Sequence, residues 1–289
     1  MTADILDGRQ LADQRLSYIR AEVERRAAAG LRAPRLTAIL PSRNPGSLAY
    51  AERQKVFAER AGVDMVVEAL AENADMAAAL ELIATLNRDP LVDGVLPLFP
   101  FASGIEPSAI AAAIDPDKDV DGLHPLNAGL LASGLDGFTP CTALGALALA
   151  DTVVETFKGR TVTVVGSSIR VGRPLALLLL RREATVTVAQ AATVDLKAAC
   201  RDAEVVFVAV GRPGLITADH LRTGAIVIDI GVNRSEGPNG ERIIVGDVDL
   251  ASAREKAAVI TAAPDGVGPV TTSFLMENTL KAAQRNRPV

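Results

Sequence analysis

Residues 161 to 188 read as strand, glycine turn, helix and strand, and this order confines the second half of the chain to a parallel α/β sheet. The β-branched run Thr161 to Val165 suits a strand buried on both faces. Gly166 lets the chain turn sharply, and Pro174 stands where a first helical turn tolerates a missing N–H. A helix opened there aims its N-terminal amides at an anion, so the turn marks where a phosphate would sit. The glycines at 166 and 172 are spaced G-x5-G rather than G-x-G-x-x-G, and an ordinary crossover whose glycines serve only geometry is the competing reading.

Composition agrees with this start. A chain of 289 residues, 49% hydrophobic and 22% charged, builds two α/β domains with full cores. No apolar run approaches the ~18 residues of a membrane helix, and the opening MTADILDGRQ is too polar for a signal peptide, so a cytoplasmic protein without a membrane partner is expected. Cys141 and Cys200 cannot make a disulfide framework, and His124 and His220 leave no zinc site of usual spacing, so metal chemistry is not expected. A net charge of -5 without a long basic run argues against nucleic acid and leaves a small metabolite as the partner.

Periodicity predicts helices over Asp7 to Arg32, Ser47 to Ala61, Met76 to Arg88, Glu106 to Ile114, Thr142 to Phe157 and Ser273 to Arg285. Strands are expected over Leu36 to Leu40, Asp64 to Ala69, Asp93 to Phe99, Val205 to Val210, Ile226 to Ile230 and Val259 to Ala262. Ser47 reads as the cap of its helix after the Asn44-Pro45-Gly46 turn. Asp115 to Phe138 is too rich in Asp and Gly for a regular element, and irregular passages of this length commonly carry function. The expected division is a two-domain α/β chain with a cleft between its halves: a catalytic domain over 1–140, a Rossmann-like domain over 141–269, and 270–289 returning to the first.

Seven segments in order then carry a resemblance: Ser47-Leu-Ala-Tyr50, Asp93-Gly-Val-Leu, Lys118-Asp-Val-Asp-Gly122, Pro140-Cys-Thr142, Gly166 to Pro174, Ile228 to Arg234, and Gly266-Val-Gly-Pro269. Together they resemble the methylenetetrahydrofolate dehydrogenase/cyclohydrolase family, nearly end to end. The resemblance implies a homodimer that takes a tetrahydrofolate derivative as substrate and passes hydride from its methylene carbon to NADP, with NAD as the other candidate. It also implies a second activity, the opening of the methenyl product by water to 10-formyltetrahydrofolate. By the same resemblance Tyr50, Gln54, Leu98 and Asp121 occupy the catalytic positions. Tyr50 would stack on folate, Asp121 would accept hydrogen bonds from the pterin edge, and Pro264, Asp265 and Gly268 would complete the substrate contacts. Gly166, Ser167, Ser168, Arg170, Gly172, Ala191, Gly211 and Val232 fall at the cofactor positions.

Seen alone, Tyr50 is a half-buried helix residue and Asp121 a turn residue. The departures from the family pattern carry more. Gln54 stands where the family has its lysine in Tyr-x-x-x-Lys, and Leu98 where it has a glutamine. Glutamine exchanges no proton near neutral pH and leucine polarises nothing, so the ~10²- to 10⁴-fold help of general acid–base catalysis is expected to be missing from the hydrolytic step. Lys55, one residue on, is turned roughly 100° off the face shared by Tyr50 and Gln54 and reads as a solvated lysine. Asp265 replaces a glycine, either placing a carboxylate beside the ligands or bonding its own backbone in a Pro-Asp-Gly turn. Pro41-Ser42, followed by Arg43, replaces a Val-Gly after the first strand. Ala189-Gln190-Ala191 lacks both the family's phosphate-gripping Cys-His-Ser type segment and the acid that holds a ribose diol for NAD. Arg170 offers a guanidinium to a phosphate or is simply solvated.

The reading is a dehydrogenase with cyclohydrolase activity weak or lost. The alternatives are the full bifunctional enzyme, a paralogue for another one-carbon adduct, and a non-catalytic binder.

Overall fold

Two sets of buried strands, each covered by helices, emerge from this pattern in a computed structural model that describes residues 2–41, 45–237 and 240–286, without the side chains of Pro45, Gly46, Tyr50 and Asn286. The elements run β1 (Asp4–Leu6), α1 (Arg9–Ala28), β2 (Arg35–Leu40), α2 (Pro45–Ala61), β3 (Asp64–Ala69), α3 (Met76–Arg88), β4 (Gly94–Pro97), α4 (Pro107–Ala113), α5 (Pro125–Ala132) and α6 (Cys141–Ala150). They continue with β5 (Thr161–Val165), α7 (Gly172–Arg181), β6 (Thr185–Ala189), α8 (Leu196–Arg201), β7 (Val205–Val208), β8 (Ile226–Asp229), β9 (Asn233–Glu236), β10 (Arg242–Val245), α9 (Leu250–Ala253), β11 (Val259–Thr261) and α10 (Val267–Asn286). One compact unit is built from Asp13–Cys141 and the segment from Thr272 onward, the other from the segment ending at Ala12 and Thr142–Thr271.

The first unit holds a parallel sheet in the order β3-β2-β4. Leu36, Ala38, Ile39 and Leu40 of β2 are buried, as a central parallel strand requires. Ile39 and Val95 meet Ala79, Ile83 and Leu86 of α3 and Ile110 of α4 in one apolar cluster. Asp75 caps α3 by accepting from Ala78 N. The other end of α3 is closed from far along the chain: the buried Lys118 Nζ donates to the carbonyls of Leu86, Asn87 and Asp89 at 2.9, 2.8 and 2.8 Å.

The second unit holds six parallel strands in the order β1-β11-β8-β7-β5-β6, beside a β9–β10 hairpin. Val205 to Val208 are all buried at its centre. Thr163, buried in β5, satisfies its hydroxyl on Ala199 O at 2.7 Å. From β5 the chain goes outward to β6, then crosses back to β7 on the other side of β5. The strand order therefore reverses between β5 and β7, and ligands of open α/β sheets bind at the carboxyl ends of strands at such a reversal.

Several elements differ from the sequence expectation. The passage 115–138 contains α5, opened by Pro125 and capped by His124 Nδ1, which accepts from Leu126 N at 3.0 Å. This helix is held by side-chain hydrogen bonds of Asp119 and Asn127 that composition does not show. The first helix starts at Arg9 because Asp4–Leu6 pair in parallel with Val259–Thr261. The sixth helix stops at Ala150, and Phe157, expected in it, lies 6.5 Å from the Phe207 ring, centroid to centroid. The last helix starts at Val267, since Pro269 is tolerated in a first turn. Ser47 sits inside α2 rather than at its cap. The expectations for Ser42, Arg43 and Asn44 fall outside the described residues. Among the described residues no helix is long and apolar enough to cross a membrane.

Candidate functional site

In the six-stranded unit the Gly166 to Pro174 turn leaves β5 at the reversal point. Gly172 admits no side chain: a Cβ there would lie 1.9 Å from Gly166 O and 2.7 Å from its carbonyl carbon. The contact seats the first turn of α7 directly on the loop. Ser168 Oγ accepts from Val171 N at 3.2 Å, and its carbonyl accepts from Arg173 N at 3.0 Å. Ser168 and Arg170 are exposed, Ser167 is half-buried and Gly166 is buried. Ala191 is exposed just past the end of β6.

The loop after β7 completes the carboxyl edge, and the group that shapes it comes from a part of the sequence not singled out above. Asp247, fully buried, accepts from Val210 N at 2.6 Å, Gly211 N at 3.0 Å, Arg212 N at 2.9 Å and Asn233 Nδ2 at 2.8 Å. One carboxylate thus ties the loop of Gly211 to the segment of Val232, whose side chain stands 63% exposed at the strand ends. The only sequence signal was the Gly246-Asp-Val-Asp249 string.

Asp229, at the end of β8, faces the same turn. It accepts from Gly231 N, Asp247 N and Val248 N at 2.9, 3.0 and 2.9 Å. Burial pushes its carboxyl up to about 6, the Asp247 charge adds to the rise, and the three N–H groups oppose it. The folded chain holds this proton in a pH range where the unfolded chain, with an ordinary carboxyl near ~4, has released it. Stability from this group is thus complete below ~4 and lost as pH rises through the folded value, by up to about 3 kcal/mol. Asp119, also raised by burial, acts in the same direction, and His220, lowered by burial, in the opposite one. The contribution is isolated by comparing wild type with Asp229→Asn in urea melts from pH 4 to 8. Wild type is expected to lose its stability lead as pH rises, and a lead that grows with pH would contradict the assignment.

In the three-stranded unit the positions expected to be catalytic lie on α2 and in the segments that follow β4. Gln54 lies on α2, which leaves β2, and is 5% exposed, with Oε1 buried and without a hydrogen-bond partner. Leu98 follows β4, is 4% exposed, and donates its N–H to Ile39 O at 3.0 Å. Lys55 points elsewhere, paired with Glu52 at 2.9 Å. Tyr50 is one helical turn before Gln54 on α2, and its side chain lies outside the described residues.

Asp121 lies in a braced turn. Asp119 bridges in parallel with Val95 of β4, and its buried carboxylate accepts from Leu123 N, His124 N and Asn127 Nδ2 at 3.0, 2.8 and 2.8 Å. Gly122 turns with φ +66, and a Cβ on it would lie 2.5 Å from the Thr139 carbonyl carbon. Val120 O accepts from Asn278 Nδ2 at 2.8 Å and from the Cys141 thiol at 3.3 Å. Burial pushes that thiol well up, so it stays protonated beside the half-buried Asp121 carboxylate. In Lys118-Asp-Val-Asp-Gly122, lysine and first aspartate thus build the turn, and Asp121 is the carboxylate presented by it.

Asp265 belongs to the six-stranded unit, where its carboxylate faces Arg9. Half its side chain is exposed, Oδ2 stands 3.5 Å from Arg9 Nη1, and its carbonyl accepts from Gly8 N at 2.8 Å. Arg9 is held chiefly by Asp7, whose carboxyl this hydrogen bond lowers. Pro264, before α10, and Gly268, within its first turn, are both exposed.

Both units match known families. Residues 6–121 match the tetrahydrofolate dehydrogenase/cyclohydrolase catalytic domain, and residues 140–287 match the NAD(P)-binding domain of the same family. The bifunctional protein FolD of Afipia carboxidovorans is 44% identical over 283 residues, covering 98% of this chain and 96% of the relative. The bifunctional FolD methylenetetrahydrofolate dehydrogenase/cyclohydrolase of Campylobacter jejuni superposes with a TM-score of 0.92 at 36% identity, over 98% of this chain and 99% of the other. The FolD enzyme of Trypanosoma brucei, solved with NADP and an inhibitor, superposes with a TM-score of 0.93 at 32% identity over the whole of both chains.

Proposed function

The chain belongs to the tetrahydrofolate dehydrogenase/cyclohydrolase family, and we propose that it oxidises 5,10-methylenetetrahydrofolate to 5,10-methenyltetrahydrofolate in one-carbon metabolism. It carries an NAD(P)-binding Rossmann-like domain and a folate-type catalytic domain. The observation that carries the activity is the glycine turn at the β5/β7 reversal, closed so tightly at Gly172 that the first turn of α7 meets the loop backbone. That turn fits a dinucleotide, with the N-terminal amides of α7 directed at the pyrophosphate.

In this reading Gly166, Ser167, Ser168, Arg170 and Gly172 hold the phosphates, Ala191 lies at the adenosine end, and Gly211 and Val232 line the nicotinamide end. Tyr50 and Asp121 take folate, with Pro264, Asp265 and Gly268 as further contacts. A bound oxidised nicotinamide would supply the acceptor for the hydride of the methylene carbon. The chain's own contribution is to hold donor and acceptor in register, which requires no proton carrier. Following the family resemblance, the protein works as a cytoplasmic homodimer.

The two readings of the second activity separate at two side chains. Gln54 and Leu98 supply no titrating group, which supports weak or lost cyclohydrolase activity. The Afipia carboxidovorans and Campylobacter jejuni relatives are called bifunctional, at 44% and 36% identity, and on that ground the full dehydrogenase/cyclohydrolase giving 10-formyltetrahydrofolate is the better supported reading. The dehydrogenase step is common to both. Incubating the protein with methylenetetrahydrofolate and NAD or NADP, while following reduced nicotinamide and methenyl product separately, tests each part. Reduced cofactor with accumulating methenyl product supports the dehydrogenase alone. Methenyl product cleared as fast as it forms supports both activities, and no reduction of either cofactor refutes the function.

A further inference from the structure

We propose that Arg173 selects NADP over NAD, its guanidinium receiving the 2′-phosphate of the adenosine ribose beside the end of β6. The inference rests on the Gly166 to Gly172 turn being the dinucleotide site. In such sheets the ribose next to adenine lies at the end of the second strand, where an acid some 20 residues past the glycines holds the diol of NAD or a nearby arginine takes the phosphate of NADP. Here β6 is that strand, and it ends in Ala189 followed by Gln190, Ala191 and Ala192, with no acid. The next carboxylate, Asp195, is engaged as the cap of α8, accepting from Ala198 N at 2.9 Å.

Ser167 joins the two elements. Its hydroxyl lies 3.2 Å from Gln190 Oε1, and its carbonyl accepts from Arg173 Nε at 2.9 Å. Arg173 is therefore folded back over the glycine loop instead of extending from α7, and its guanidinium and Gln190 flank the same residue. The Nε–H bond occupies one edge of the fork and leaves the Nη edge for a phosphate. Among the described residues no carboxylate pairs with Arg173. The adenosine end thus offers a cation and a neutral amide, which favours a phosphate dianion and gives a ribose diol no acid to bind.

The test is calorimetric binding of NADPH, NADH, adenosine 2′,5′-bisphosphate and 5′-AMP to the full chain and to Arg173→Leu and Arg173→Lys. Wild type is expected to prefer NADPH to NADH, and the bisphosphate to 5′-AMP, by ~10- to 100-fold. Arg173→Leu should bring both ratios close to one while NADH affinity stays within about 3-fold, and Arg173→Lys should keep part of the preference. Equal binding of NADPH and NADH by wild type, or an equal loss of both in Arg173→Leu, overturns the assignment while leaving the cofactor site in place. Failure of either dinucleotide to bind wild type overturns the cofactor site and this inference together.

Discussion

If Gln54 and Leu98 have removed the hydrolytic step, Gln54→Lys combined with Leu98→Gln is expected to raise the rate of methenyl ring opening by ~10²- to 10⁴-fold, with the rate of nicotinamide reduction changing far less. The introduced amine would stand where Gln54 Oε1 is now buried without a partner. Desolvation there lowers the affinity of a lysine for its proton and brings it toward the range in which it exchanges one at neutral pH. The same unit already holds a buried lysine, Lys118, whose ammonium is pulled down by burial while three carbonyls satisfy it. Clearance of methenyl product, read in wild type, both single variants and the double variant, checks this. If wild type already clears the product as fast as it forms and the double variant adds nothing, other groups perform the proton transfer and the reading of positions 54 and 98 is wrong.

Gly172→Ala is expected to weaken NADPH binding by ~10- to 100-fold, equivalent to about 1.4 to 2.7 kcal/mol, because the first turn of α7 can no longer sit on the loop that receives the phosphates. The new methyl would meet Gly166 O, Gly166 C and Ser167 N, at 1.9, 2.7 and 3.1 Å. All three are backbone atoms, and no rotamer change relieves the clash. Loop and helix must part, which costs ~1–3 kcal/mol of stability and removes the alignment of α7 with the phosphate position. Gly129→Ala on α5 is the contrast: its Cβ meets nothing within 4 Å, and it should be neutral or slightly stabilising. Thermal melts with and without NADPH separate the outcomes. Gly172→Ala should melt lower and gain little from NADPH, whereas Gly129→Ala should gain as wild type does. A Gly172→Ala protein stabilised by NADPH to the wild-type extent would remove this loop from the cofactor site.

The elements that periodicity placed correctly are those whose signal is local. β3 and α3 fall at the expected residues because alternation and an apolar stripe each repeat within a dozen positions. β5 and β7 are legible for a similar reason, being runs of β-branched residues buried on both faces. The hairpin of β9 and β10, the short β1 and α5 were not legible. Their sequences are mixed or brief, and they are held by partners outside themselves, such as Val259–Thr261 for β1 and Asp119 with Asn127 for the entry to α5.

By itself the amino-acid sequence determined the α/β class, the glycine turn at Gly166 to Gly172 and the substitutions at positions 54 and 98, since each depends on residue type and near-neighbour spacing. The tertiary structure alone decided which polar residues build the site and which face outward from it. Lys118 reaches carbonyls 29 to 32 residues away, and Asp247 reaches backbone amides 35 to 37 residues away. Nothing in the local string distinguishes Asp119, spent on its own turn, from Asp121, two positions on and presented by it. That distinction arises when the parallel bridge to Val95 sets the register of the loop, because burial then forces one carboxylate to find its hydrogen bonds inside the protein.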